Sequence, residues 1–454
     1  MKRIQFVASL FMLVFSMGVC AQESTKKPFL SIQNWETQNG VKVYFVETPA
    51  LPVVDMEILF DAGSSREGEK FGLASLTNAV LFAGGATDSF DSIAEGFSSI
   101  GAEITGSASK DMAHIRLRTL SDAAAQQKAL GLVEKLLKPA FKADNFAQEQ
   151  SRTLRGIQQK QDYPDEITDD LFYNTLYAGH PYAHNGDGTE ETVKKLTAKD
   201  LQTFFDQYYV AKNATFVIVG ALDKPQATQL AEKLSAALKQ GKKADALSEP
   251  KMPASTAAQK SMETQQTHLV YGTLGVARTD LKNNKTWPAL FLGNQILGGG
   301  TFDSRLFVNV REKAGLAYSV GSYFSPMKTM GPWMASVQTR NEKSGEALDK
   351  IKSLVDDFIK NGPTDAEVEN AKVNIINRFP ISFRSNDDIV YHVAIIGFYG
   401  LSLTYYDELV DAFEKVKTED IKQAFKNQFA EHNFVTVIVG QEQNKDVKTP
   451  KHVS

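Results

Sequence analysis

The sequence predicts an α+β protein made of two homologous halves joined by a linker, and three observations carry that prediction. The segment LTAKDLQTFFDQYYVAKNATFVIVG, Leu196 to Gly220, returns as VKTEDIKQAFKNQFAEHNFVTVIVG, Val416 to Gly440, at a constant offset of 220 residues. The strands alternate between apolar and polar residues instead of running uniformly apolar, which favours mixed layers over a doubly wound parallel sheet. Between the copies, GKKADALSEPKMPASTAAQK, Gly241 to Lys260, has no periodic face.

Each element follows from its local pattern. Val41 to Val46 reads as a strand. FGLASLTNAVLFAGG, Phe71 to Gly85, reads as an amphipathic helix that buries Leu73, Leu76, Val80 and Leu81 and closes on a glycine pair. His114 to Leu120 is a strand with one apolar and one basic face. Each duplicated segment is a short helix with a buried aromatic face, a polar turn and a β-branched strand ending in glycine. In the second half Trp333 to Val337 is a strand, and Leu348, Ile351, Leu354, Val355 and Phe358 follow at helical spacing. That helix ends at Asn361-Gly362-Pro363, and Thr364-Asp365-Ala366-Glu367 is a capping box that opens the next. The domains are therefore expected at 28–240 and 263–448, with the linker at 241–262.

The chain of 454 residues is 42% hydrophobic and 23% charged with a formal net charge of -4, so no basic excess points to nucleic acid. Its first residues, MKRIQFVASLFMLVFSMGVCAQ, combine Lys2 and Arg3 with an apolar run and small residues at Val19 and Ala21. They read as an export signal, residues 1–21, removed after Ala21. The expected location is the periplasm; secretion and lipidation at Cys20 are the alternatives, and Cys20 lacks the leucine and adjacent small residue of a lipid-attachment site. Cleavage leaves no cysteine for a disulfide or a thiolate metal site, and no downstream run is apolar and long enough to span a bilayer.

Asp61-Ala62-Gly63-Ser64, then Glu67 and GLASLTNAVLFAGG, resemble the pitrilysin and mitochondrial processing peptidase family of inverted-zincin metallopeptidases. The resemblance spans both halves and implies two homologous metallopeptidase-like α/β sandwich domains. Catalytic members carry His-x-x-Glu-His on this helix, two histidines for zinc and a glutamate as general base. The matching positions are Ser75, Asn78 and Ala79. A serine hydroxyl is a poor zinc ligand, an asparagine amide is no base, and alanine offers no donor. The family's third ligand is a glutamate expected near Arg152 to Gln159, where RTLRGIQQ holds no carboxylate, although Glu149 is close by. His180 and His184, in HPYAHNGDGTEE, form the one close histidine pair and could recruit Asp187 or Glu190. Pro181 and Gly186 place that pair in a loop that resembles a structural loop of the family. The resemblance implies no zinc and no other cofactor in this chain.

LGGGTFDSRLFVNVREKAGLAYSVGSYF, Leu297 to Phe324, resembles the signature of the family's C-terminal domain. The resemblance implies that Arg311 and Tyr318 act in trans on a zinc-bearing partner, positioning the peptide and stabilising the oxyanion. The structural alternative pairs Arg311 with Glu312 or another carboxylate and packs Tyr318 at a strand start. The expected function is thus the noncatalytic subunit of an exported heteromeric zinc endopeptidase, with a homologous zinc-bearing subunit as partner and unfolded peptide as substrate, and with no catalysis by the isolated chain. The rivals are a noncatalytic peptide-binding or scaffold protein of the cell envelope and an autonomous hydrolase with an unrecognised site.

Overall fold

The computed structural model describes residues 28–84, 90–300, 302–431 and 433–441. The export signal expected at 1–21, together with Gly85 and His432, lies outside the described residues. The first half opens with β1 (Gln33–Glu36), β2 (Lys42–Glu47), β3 (Val53–Phe60), α1 (Leu73–Phe82) and α2 (Phe90–Ser98). It continues through β4 (Glu103–Ala108), β5 (Ala113–Leu120), α3 (Ala123–Leu136), α4 (Ala143–Lys160) and α5 (Pro164–Leu176). It ends with α6 (Glu190–Lys195), α7 (Ala198–Tyr208), β6 (Ala214–Gly220) and α8 (Lys224–Ser235). The second half has β7 (Thr256–Ser261), β8 (Gln266–Leu274), α9 (Trp287–Leu297), a π-helical turn at Phe307–Glu312, β9 (Ala317–Phe324) and β10 (Pro332–Arg340). Then follow α10 (Ser344–Asn361), α11 (Asp365–Arg378), α12 (Asn386–Tyr399), α13 (Tyr405–Lys415), α14 (Thr418–Gln428) and β11 (Val435–Gly440).

The duplication is visible in the sheets. The first runs β1-β2-β6-β3-β5-β4 and the second β7-β11-β8-β10-β9, so the two orders match place for place once β1 is set aside. In each, the duplicated strand, β6 or β11, pairs parallel with one neighbour and antiparallel with the other. The linker expected at 241–262 is corrected at its end. Residues 256–261 form β7, because Thr256 to Ser261 pairs along β11 as β2 pairs along β6.

One face of the first sheet packs on α1, α3, α7 and α8, where Leu73, Leu76, Val80 and Leu81 of α1 are all buried. The other face is covered from the second half by α12, and the second sheet is covered in return by α5. The approach is close. A Cβ on Gly397 of α12 would lie 2.9 Å from Tyr44 and Thr215, and one on Gly272 of β8 would lie 2.7 Å from Phe172 of α5. Cover on both faces explains why every residue of β6 is buried. On β5 the alternation holds: Ile115 and Leu117 are buried, whereas His114, Arg116 and Arg118 meet Glu57, Asp387 and Asp55.

The seam between the halves carries polar groups. The Asp111 carboxylate accepts from the hydroxyls of Tyr182 and Tyr399 and from the backbone N–H of Lys328. The Lys328 ammonium bonds to Asp61, which also accepts two hydrogen bonds of 2.9 Å from Arg66. Among the described residues no helix is long and apolar enough to cross a membrane.

Candidate functional site

The helix α1 starts at Gly72, whose φ of 94° is open to glycine and strained for other residues. Its first turn is capped from outside. The buried Glu67 carboxylate accepts from the backbone N–H groups of Gly72 (3.0 Å) and Ala74 (2.6 Å) and lies 3.0 Å from Nε2 of His184. Burial pushes the Glu67 carboxyl pKa up, while His184 and the two amides pull against it. His184 also stacks on Phe71, ring centroids 4.2 Å apart, and His180 places Nε2 2.8 Å from the Ser248 carbonyl. The histidine pair thus serves two separate loop contacts.

The three positions that match the zinc motif have other partners. Ser75 donates its hydroxyl to Asp187 at 3.0 Å, and Asp187 forms an ion pair with Lys160, also at 3.0 Å. Lys160 bridges on to Glu166. Burial opposes the ammonium, yet the hydrogen bonds to Asp187 and Glu166 prevail and push its pKa up to about 12. Asn78 is buried and donates its amide to the His114 carbonyl at 3.3 Å. Ala79 faces a cavity of about 890 Å³ whose walls include Phe82, Phe97, Ile104 of β4, and Glu149 and Arg152 of α4. Since β4 ends the sheet order, its outer edge beside this cavity is unpaired within the sheet.

Zinc does not fit this donor set. A closed or catalytic zinc site needs at least three nitrogen, sulfur or carboxylate donors from the protein. The crevice is lined by the carboxylates of Glu103, Glu149 and Asp187 and by no histidine or cysteine, Asp187 is already held by Lys160 and Ser75, and the three are not grouped around one point among the described residues. His114 approaches Glu57 (3.5 Å) and Ser107 (3.1 Å) instead. Among the described residues no group of three or more His, Cys, Asp or Glu could hold a metal ion.

Arg311 and Tyr318 lie elsewhere. After Gly298 to Gly300 the chain enters the π-helical turn, and the Arg311 guanidinium sits 4.7 Å over the Phe307 ring. Phe307 in turn meets Phe302, which is 77% exposed. Gly315, at φ 61°, turns the chain into β9, where Tyr318 is 77% exposed. Among the described residues neither side chain has a hydrogen bond or ion pair, so Arg311 does not pair with Glu312 and Tyr318 does not pack. Neither lines the cavity at Ala79. The strand of Tyr318, β9, which follows the turn that carries Arg311, holds in the second sheet the edge place that β4 holds in the first. The aromatic platform of Phe302 and Phe307 escaped the sequence reading, because only the fold brings the two rings together beside Arg311.

Both halves of the chain have counterparts among known proteins. Residues 42–189 match the family model "Insulinase (Peptidase family M16)", and residues 195–375 match "Peptidase M16 inactive domain". The crystal structure of a peptidase M16 inactive domain from Pseudomonas fluorescens is 36% identical, covers 92% of this chain and all of its own, and superposes with a TM-score of 0.87. An "Uncharacterized zinc protease" of Rickettsia bellii is 27% identical over 87% of this chain and 94% of its own length. A "Non-peptidase homolog YmxG" of Helicobacter pylori is 25% identical over 97% of this chain and 99% of its own.

Proposed function

Because this chain belongs to the M16 peptidase family and is a noncatalytic member of it, we propose that it is one subunit of an exported heteromeric zinc endopeptidase. In this reading a homologous subunit holds zinc, and this chain supplies Arg311 and Tyr318 to the composite site. One observation carries the reading. The metal positions are committed to other bonds or lack a donor, while Arg311, on the π-helical turn, and Tyr318, on the edge strand that follows it, have no polar side-chain partner among the described residues.

The chemistry suits that division. A guanidinium stacked on Phe307 keeps its charge and its fixed donors while its orientation is restricted. An exposed phenol donates one directional hydrogen bond, which strengthens as negative charge develops on the peptide carbonyl oxygen. The stack lowers the entropy that Arg311 loses on engagement. Under this proposal residues 1–21 act as an export signal and the assembly works in the periplasm, a reading supported by the basic start, the apolar run and the small residues at Val19 and Ala21.

A second reading has its own support. The unpaired β4 edge beside an apolar cavity suits an extended peptide held by strand addition with no chemistry performed on it. One experiment separates the two. The native protein is isolated gently from its own cells, and copurifying protein, zinc and peptidase activity are measured before and after the chains are parted. A stoichiometric zinc-containing partner with activity that needs both chains supports the subunit. A lone, metal-free, inactive chain transfers the weight to peptide binding, and zinc-dependent activity of the pure single chain overturns both.

A further inference from the structure

The second half contains a cavity that the proposed activity does not use. Helices α9, α11, α12 and α13 enclose about 480 Å³, within the range of small-ligand sites. The pair α9 and α11 holds the place in this half that α1 and α4 hold in the first, where they line the crevice at Ala79. Duplication has thus left a crevice between the same two helices in each half.

One face of α11 forms its long wall. Glu367, Ala371, Asn374 and Arg378 recur there at helical spacing, so the wall runs about 16 Å at the helical rise per residue. The centre is apolar: Phe291, Ile296, Ile375, Ile395 and Leu409 line it, with Trp287 and Tyr406 as aromatic walls. His392 belongs to the lining as a neutral ring, since burial pushes its pKa down to about 4. Its buried Nδ1 has no hydrogen-bond partner among the described residues.

The two ends differ in charge. Asp303 and Glu367 stand at one end, where Arg305 binds Glu367 and so holds the segment after the glycine loop beside the first turn of α11. Arg278 and Arg378 stand at the other. Arg278 lies 5.4 Å over the Tyr399 ring, and Arg378 ends α11 next to Phe379, whose ring is 5.9 Å from Tyr406. Among the described residues neither arginine has a carboxylate within 4.0 Å, and Asp303 has no cation within that distance. An acidic end, an apolar centre and a basic end match one common ligand chemistry.

We propose that this cavity binds a short apolar peptide with both termini free, its ammonium at Asp303, beside the Arg305-paired Glu367, and its carboxylate at Arg278 and Arg378. At the extended rise per residue the wall accommodates about five residues. Charge at both ends selects fragments already cut from a longer chain, because an internal stretch of polypeptide carries neither terminal charge. The proposal does not rest on the zinc-bearing partner.

The test uses the full mature chain and the pentapeptide Phe-Leu-Ala-Leu-Phe in three forms: free, N-acetylated and C-amidated. Calorimetry on the unaltered protein is expected to show binding of the free form, weakened at least about tenfold by capping either end. Arg378→Gln is expected to remove the preference for the free carboxylate over the amide and to leave the affinity for the amide unchanged. Asp303→Asn does the same for the amino end. No heat of binding up to about 1 mM free peptide overturns the proposal. So does equal affinity for all three forms, or an acid-over-amide preference that survives in the Arg278→Gln, Arg378→Gln double variant. The comparison of the three forms needs no variant, so it does not depend on how substitutions affect folding.

Discussion

Oδ2 of Asp111, in the turn between β4 and β5, accepts a hydrogen bond of 2.9 Å from the phenol of Tyr399, the last residue of α12 in the other half. The same carboxylate accepts from Tyr182 of its own half and from the Lys328 backbone, so one buried acid ties a loop of the first half to two segments across the seam. Asp111→Ala leaves three donors without their acceptor and is expected to cost about 2–4 kcal/mol. Tyr399→Phe removes one hydroxyl and is expected to cost about 1 kcal/mol. Urea unfolding followed by far-ultraviolet circular dichroism measures both. An unchanged midpoint for Asp111→Ala would mean that apolar packing of α5 and α12 holds the seam alone.

Under the proposed function, Arg311→Ala or Tyr318→Phe in the pair with the zinc-bearing subunit is expected to lower turnover by about one to three powers of ten, as for loss of an oxyanion donor. Complex formation should change much less, because neither side chain bonds to its own chain among the described residues. Sedimentation measures assembly and a quenched fluorescent peptide measures turnover. Parallel losses of both would make the two residues part of the subunit interface.

Restoring histidines at the motif positions tests whether ligand loss alone disables the crevice. Ser75→His with Ala79→His places two imidazoles one turn apart on α1, and Glu149 lines the same cavity as Ala79. One zinc per chain, retained through dialysis and measured by mass spectrometry, is the expected outcome, against none for the parent. A metal-free double variant would show that the bonds around Asp187 and Lys160 keep the crevice closed to the ion.

Asp169 on α5 is pushed up to about 6 by burial and by the neighbouring Glu166, Asp170 and Asp165. Its carboxyl holds a proton more tightly in the fold than in the unfolded chain. The stabilisation is therefore full below about pH 4, near its ordinary value, and lost as the pH rises through about 6. Asp169→Asn is expected to stabilise the protein at pH 7 by about 1 kcal/mol, after allowance for its partial exposure to screening solvent, and by nothing at pH 4. Thermal melts across that range decide it. An equal gain at both pH values would assign the effect to packing.

Glu367 behaves in the opposite sense. Burial would raise its pKa, but Arg305 and the groups of Thr364 outweigh it and hold the carboxyl at about 2. Its contribution is present above about pH 4.5 and lost as the pH falls through about 2. Arg305→Gln is expected to lower stability at pH 6 by about 1 kcal/mol or more, the pair being partly exposed, and by less at pH 2. Acid titration of unfolding in the two proteins measures the difference. A loss that stays constant with pH would trace to the stacking of Arg305 on Phe358, centred 5.0 Å away.

Much of the architecture was legible in the chain. The offset between Leu196–Gly220 and Val416–Gly440 announced the duplication, because a helix and a strand that bury the same face keep the same apolar spacing. The capping box at Thr364 and the buried face of α1 were equally plain, since both arise within a few turns of one helix. Ser75, Asn78 and Ala79 were picked out by the resemblance to the family's first helix, and residue type alone then says that they offer no good zinc donor or base.

Tertiary structure decided what depends on distant residues meeting. The end of the linker became β7 only because β11 offers it an edge, and its own composition gives no strand signal. The exchange of α5 and α12 between the halves, the Asp111 seam and the charged ends of the cavity along α11 each join residues far apart in sequence. Local periodicity records which face of an element is apolar. It does not record which sheet that face will cover, and that choice is made by packing across the whole molecule.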